Sequence, residues 1–115
     1  MRYRSLVCTA QIAMTSPSYG NYSCAGTIDS LALNPSGLVT LSSYSAGVTS
    51  AYICSIGSTY NGVTADVCKA IFAQLVAAQA TGSTVSWYYS DTLTCTTHPA
   101  WEMLTGWYYG PQVGP

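Results

Sequence analysis

The stretch TADVCKAIFAQLVAAQATGSTVSWYYS, residues 64–90, decides the fold, because its periodicity changes once along its length. From Ala65 to Ala80 the apolar residues Val67, Ile71, Leu75 and Ala78 recur at i, i+4, i+8 and i+11, which is one face of a helix. Cys68, Phe72 and Val76 widen that face, so the helix is expected to be largely buried. Thr64 is its N-cap, and Asp66 stands in the first turn, where the helix dipole favours a negative charge. Gly82 ends the helix by accepting a left-handed backbone. From Thr84 to Ser90 the period falls to two, with Val85, Trp87 and Tyr89 alternating with Ser86, Tyr88 and Ser90, so a strand follows.

Upstream of this stretch the signals are those of strands and turns. Asn34-Pro35-Ser36-Gly37 is a turn, with Pro fixing φ and Gly accepting a positive one. It separates a strand over Tyr22 to Leu33, in which Gly26 marks a bulge or a close backbone approach, from a strand over Leu38 to Tyr44. A turn at Ser45-Ala46-Gly47 leads to a third strand, Ser50 to Ile56, and Gly57 to Val63 is a loop. Downstream, 91–100 is a loop, Trp101 to Leu104 a turn of helix, and Gly106 to Tyr109 a last short strand. Before all of these, Leu6, Cys8, Ala10, Ile12 and Met14 alternate with polar residues, which predicts a strand over 2–15 rather than a targeting segment. The breaker cluster Ser16 to Asn21 divides it from the rest. The chain is therefore read as an N-terminal arm, 1–15, and one domain, 16–115. The expected fold is mainly β with one helix: a five-stranded OB-like barrel in the order β-β-β-α-β-β, preceded by an extra strand.

Charge is the outstanding compositional feature. Charged residues are 6% of the 115, namely Arg2, Arg4, Asp29, Asp66, Lys69, Asp91 and Glu102, although hydrophobic residues reach 49%. An ordinary domain carries about 25% charged residues. The hydrophobic fraction excludes global disorder, and a net charge of −1 gives no footprint for nucleic acid. No apolar run is long enough to span a bilayer. A surface of Ser, Thr, Gly, Asn and Tyr lacks the repulsion that keeps copies apart, so it suits sugars or self-association.

Five cysteines stand at 8, 24, 54, 68 and 95, none in a C-x-x-C spacing, and with a single histidine no metal site or cofactor is expected. Wide spacing and low charge point to disulfides in an oxidising, extracellular setting. Cys54 ends a strand and Cys68 begins the helix, so the chain folds back between them, and a bridge there contributes ~3 kcal/mol. Cys24 and Cys95 form the next pair if the first and fourth barrel strands are neighbours. Cys8 is left over, as a small buried hydrophobe, a link to another chain, or a member of a different pairing.

Aromatic residues crowd the C-terminal third. Tyr88, Trp101, Trp107 and Tyr108 are candidates for glycan or interface contact, since aromatic faces take the C–H faces of sugars. The competing reading places alternate members in the core. His98 and Glu102, four apart, are the nearest general acid/base candidates, with a local hydrogen bond between them as the simpler role; no catalytic residue is assigned. Asp29 and Asp91 are read as turn or edge charges. Asn21-Tyr22-Ser23 matches an N-glycosylation sequon.

Three segments together carry a family likeness. They are Tyr52-Ile53-Cys54-Ser55-Ile56, the helix from Cys68 running into Thr81-Gly82-Ser83-Thr84-Val85, and the ending Tyr109-Gly110-Pro111. Over about 22–111 the chain resembles the B subunits of subtilase-type and pertussis-type AB5 toxins and small secreted bacterial proteins that share the pattern. The resemblance implies an OB fold, a homo-oligomeric ring, sialoglycan binding and no catalysis. A serine-based sugar pocket is not matched, so no glycan contacts are carried over. The strand over 2–15 lies outside the pattern and needs an edge to pair with, which a neighbouring copy can offer.

These readings rank a non-enzymatic, secreted, self-assembling subunit of an extracellular ring or filament first. A B-subunit-like module binding cell-surface glycans comes second, and a small hydrolase third.

Overall fold

The computed structural model describes residues 21–114. The expected strand over 2–15, the arm 1–15 and Cys8 lie outside the described residues. Six strands and one helix follow in the order β1 (Tyr22–Thr27), β2 (Ser30–Leu33), β3 (Leu38–Ser43), β4 (Val48–Ser55), α1 (Ala65–Thr81), β5 (Thr84–Tyr89) and β6 (Trp107–Val113). They form two antiparallel three-stranded sheets, β1-β5-β6 and β2-β3-β4.

The strand expected over Tyr22 to Leu33 is thus two strands, one in each sheet. The break has a local cause. Gly26 lies so close to the 3-10 turn Tyr44–Ala46 that a Cβ on it would stand 2.6 Å from Ser45 Cβ. Asp29 then fixes the crossing: its N–H donates to the Ser42 carbonyl at 2.8 Å, and its Oδ2 accepts the Tyr44 N–H at 2.7 Å. The Ser43 hydroxyl donates to the Thr27 carbonyl at 2.7 Å. The turn after β2 is tied by Asn34, whose Oδ1 accepts from the N–H groups of Ser36 and Leu38. Gly37 there has φ +90°.

Thr64 caps α1, its Oγ1 accepting the Val67 N–H at 3.3 Å, and Gly82 ends it at φ +68°. Only one stripe of the helix is buried, formed by Cys68, Ile71, Leu75 and Ala78. Val67 and Val76, expected on the buried face, are 53% and 45% exposed, because they flank a stripe that is one face wide. Both sheets contribute to the core under that stripe, including Val39, Leu41 and Ile53 from one and Val85, Trp87 and Tyr89 from the other.

Strand pairing among the described residues does not close a barrel. Instead the long connection from β5 to β6 runs along the outer edge of β4. Tyr52 N–H donates to the Glu102 carbonyl and Leu104 N–H to the Tyr52 carbonyl, both at 2.9 Å, forming a parallel bridge between Tyr52 and Met103. The helical turn expected over Trp101 to Leu104 is absent; these residues are drawn out along β4, with Trp101 at φ +59°. The last strand is longer than its pattern suggests. It continues through the cis Gly110-Pro111 bond to Val113, and Gly114 N–H donates to the Thr84 carbonyl at 2.8 Å.

Candidate functional site

The connection 90–106, the strap, is fastened at its root by side chains from both sheet strands beside it. Disulfides join Cys24 to Cys95 and Cys54 to Cys68, the pairs reasoned above from strand adjacency and chain reversal. The first ties the strap to β1. Gly47, at φ +76°, makes room for the Cys95 carbonyl where any Cβ would collide with it.

Next to this bridge lies a polar cluster. Tyr22 and Tyr89 are register partners on β1 and β5, and their rings stack with centroids 5.1 Å apart. The Tyr22 hydroxyl donates to Asp91 Oδ1, which also accepts the Leu93 N–H at 3.1 Å. His98 Nε2 stands 3.1 Å from the same hydroxyl oxygen. The one hydroxyl proton is committed to Asp91, so Nε2 carries a hydrogen and donates it to Tyr22. The His98 ring lies 4.4 Å from that of Tyr89. Asp91 Oδ2 and the Tyr89 hydroxyl are buried without hydrogen-bond partners. Asp91 Oδ2 fits there because Gly106, at φ +84°, has no Cβ to fill the place.

Burial sets the electrostatics. It raises the Tyr22 and Tyr89 pKa values well above the usual 10, and Asp91 adds to both, through its hydrogen bond and charge on Tyr22 and through its charge on Tyr89. Burial also lowers the His98 pKa below the usual 6.5, while the Asp91 charge pulls the other way. The cluster is therefore a chain of hydrogen bonds from His98 through Tyr22 to Asp91, and it holds the strap against β1.

His98 and Glu102 do not meet. His98 turns in to Tyr22 and Tyr89, whereas Glu102 is exposed and offers its backbone carbonyl to Tyr52. Asp29 and Asp91 are both the turn charges expected of them, Asp91 accepting the Leu93 N–H two residues on, and Asp91 also sits inside the cluster. Tyr22 and Asp91 escaped the sequence reading because they are 69 positions apart, and no spacing rule joins them. The one available signal was the pairing of first and fourth strands, which sets Tyr22 opposite Tyr89.

The aromatic candidates divide. Tyr88 is half-buried on the outer face of the first sheet; its hydroxyl donates to Gln112 Oε1 at 2.8 Å and its ring meets Tyr109 edge-on at 5.5 Å. Tyr109 is exposed beside it, and Tyr108, the preceding residue of β6, is exposed as well. Trp107 is half-buried: it packs edge-on against Trp87 at 5.1 Å and its indole N–H donates to the Leu104 carbonyl at 2.9 Å. Trp101 is 66% exposed, on the strap.

Strain gathers at the seam between strap and β4. Ser50, Asn61 and Trp101 are the non-glycine residues with positive φ among those described. Trp101 N–H donates to the Ser50 carbonyl at 3.0 Å. The Asn61 side-chain amide spans the seam, donating to the carbonyls of Ile53 at 3.1 Å and Leu104 at 2.7 Å.

Among the described residues no group of three or more His, Cys, Asp or Glu is placed to hold a metal ion, no pocket opens, and no helix is long and apolar enough to cross a membrane. Comparison of the chain with protein-family models, with curated proteins and with solved structures finds no match.

Proposed function

We propose that this chain is a non-enzymatic, secreted subunit that assembles with copies of itself into an extracellular ring or filament. The observation that carries the reading is what the described surface offers. Trp101, Tyr44, Tyr109 and Tyr108 are each more than half exposed, while the described residues carry only five charged side chains, four acidic and one basic. Of the five charged residues described, Asp91 is held in the polar cluster and Lys69 faces Asp66 at 4.0 Å. Asp29 and Glu102 remain. Exposed aromatic side chains with little charge around them are the material of protein interfaces.

Two further features support it. β2 and β6 each have a strand on one side only among the described residues, which leaves edges that an added strand can use. The segment over 2–15, with its alternating apolar residues, is our choice for that strand, donated from a neighbour. The sheet orders β1-β5-β6 and β4-β3-β2, with β2 continuing from β1 and the strap bridging to β4, are in keeping with the strand order of an OB-like barrel and support that reading of the domain. The two disulfides are compatible with an oxidising, extracellular setting.

The test is electron microscopy of the assembled protein beside a variant lacking residues 1–15. Filaments lost on truncation support strand donation between copies. A protein that stays monomeric at high concentration overturns the proposal.

A second reading, a glycan-binding module like the toxin B subunits, is favoured by one arrangement. On the outer face of the first sheet the Tyr88–Tyr109 pair lies among Ser23, Ser86 and Gln112, which puts aromatic faces beside hydroxyl and amide groups. A glycan array probed with wild type and Tyr109→Ala tests it, and absence of binding by wild type removes it.

A further inference from the structure

We propose that Asn61 is a self-modification site that the fold holds in check. While its side chain is clamped between β4 and the strap it stays an amide. Once the clamp opens, the Gly62 nitrogen converts it, without any enzyme, to a carboxylate that cannot remake the clamp. This rests on the geometry of the seam and holds whether or not copies assemble.

Asn61 and Gly62 are the two central residues of a tight hairpin turn. Tyr60 N–H donates to the Val63 carbonyl at 3.0 Å and Val63 N–H to the Tyr60 carbonyl at 2.9 Å, with φ +58° at Asn61 and +73° at Gly62. Such a turn selects Asn-Gly, because both residues accept a left-handed backbone. The Asn61 side chain is tied down as well. Its Nδ2 donates to the Ile53 carbonyl on β4 at 3.1 Å and to the Leu104 carbonyl on the strap at 2.7 Å. Both partners only accept, so the nitrogen, with its two hydrogens, is the atom that faces them. Leu104 is fixed in turn: its side chain is buried in the core and its N–H donates to the Tyr52 carbonyl at 2.9 Å. The clamp therefore joins two held walls.

The Asn-Gly pair brings a reaction with it. A glycine nitrogen has no side chain beside it to block an approach, and a Cβ at Gly62 would meet nothing within 4 Å, so the place is open. Having lost its proton to hydroxide, that nitrogen attacks Asn61 Cγ. The Cγ–Nδ2 bond breaks, Nδ2 leaves as ammonia, and a cyclic imide remains. One water opens the ring. Breaking the bond from the Gly62 nitrogen to Cγ gives aspartate, and breaking its bond to the Asn61 main-chain carbonyl carbon gives isoaspartate. The reaction removes Nδ2 itself, so both clamp hydrogen bonds must be given up. The clamped amide is thereby protected, and conversion passes through molecules in which the seam has opened locally. Neither product has a donor for the Ile53 and Leu104 carbonyls. Isoaspartate also adds a carbon to the main chain inside a turn closed by the Tyr60 and Val63 hydrogen bonds. The clamp is not remade, and the modified residue is a permanent record that the strap has lifted.

Peptide mapping by mass spectrometry tests this on the full chain in mildly alkaline buffer, comparing native protein with protein unfolded in urea. The amide at position 61 is expected to convert at least about tenfold more slowly in the native protein, since conversion is confined to open molecules. Gly62→Ala should slow the unfolded chain, because its methyl group crowds the attacking nitrogen. Equal rates in native and unfolded protein, or an unfolded rate unmoved by Gly62→Ala, overturn the proposal. Asn61→Asp reproduces one product. Amide hydrogen exchange at Tyr52 and Leu104, whose N–H groups belong to the seam, should then lose protection several-fold, while Leu75 in the helix keeps its own. Unchanged protection at the seam overturns the one-way step. Should Asn61→Asp fail to fold, wild type aged until partly converted gives the same reading, its converted and unconverted molecules being separated by charge before exchange is measured.

Discussion

The Tyr22 hydroxyl donates to the Asp91 carboxylate across 69 positions of chain, joining the first described strand to the root of the strap. Tyr22→Phe keeps the ring stacked on Tyr89 and removes only this bond and the His98 contact. Hydrogen bonds to a charged group contribute about 1.5–3 kcal/mol, so the variant should lose about 2 kcal/mol in urea denaturation. An unchanged midpoint would show that the bond adds nothing net.

Tyr22 and Tyr89 are both held neutral by burial and by Asp91. An acid whose folded pKa is raised contributes stability that is present below the unfolded value of 10 and lost as pH rises above it. Stability should therefore decline above about pH 10, the ordinary tyrosine range. Absorbance titration of the ten tyrosines should show two that ionise only with unfolding.

The two disulfides differ in access. Cys54 and Cys68 are fully buried, whereas Cys95 is partly exposed at the strap. Mild reductant should open Cys24–Cys95 first, as read by alkylation and mass spectrometry. Replacing that pair with alanine should cost about 4 kcal/mol, since it closes the longer loop, against about 3 kcal/mol of chain entropy for the other.

Gly47 combines a left-handed φ with a backbone that touches the Cys95 carbonyl. Gly47→Ala must move the strap root or the 3-10 turn, and should cost about 2–4 kcal/mol by thermal or chemical denaturation. Gly62→Ala serves as its control, because Gly62 shares the left-handed φ but has nothing within reach of a Cβ. It should cost only about 1–2 kcal/mol.

If copies associate through the uncharged aromatic surface, added salt should leave association intact. Sedimentation at about 0.05 M and about 0.5 M sodium chloride, which spans most of the screening range, should give the same species. Dissociation at the higher concentration would point to charge-held contacts instead.

Local rules explain what could be read from the chain. The helix read over 65–80, its Thr64 and Gly82 caps, the Asn34 turn and the strand after it follow from period and capping alone. Gly26 signalled a close approach, but not that the chain would leave one sheet for the other there, since the partners of Asp29 lie in another turn. Trp101 to Leu104 has the spacing of a helical turn and is drawn straight by the edge of β4, a tertiary effect that outweighs local propensity. Asp91 reads as a turn charge, and its bond to the Leu93 N–H makes it one, but its further setting is made by Tyr22, His98 and Gly106, which no pattern places together.

The pairing of β1 with β5 also bears on how the chain is made. Tyr22 to Thr27 find their hydrogen-bond partners at Thr84 to Tyr89, and the strap that holds them closes only when residue 107 is available. During synthesis from the N-terminus, β1 must wait until residues 84–89 have been made before it can be satisfied. Contacts of such high sequence separation fold slowly and late. The sheet β2-β3-β4 and the Cys54–Cys68 loop can therefore close while β1 is still unpaired, so the two sheets differ in when they can form.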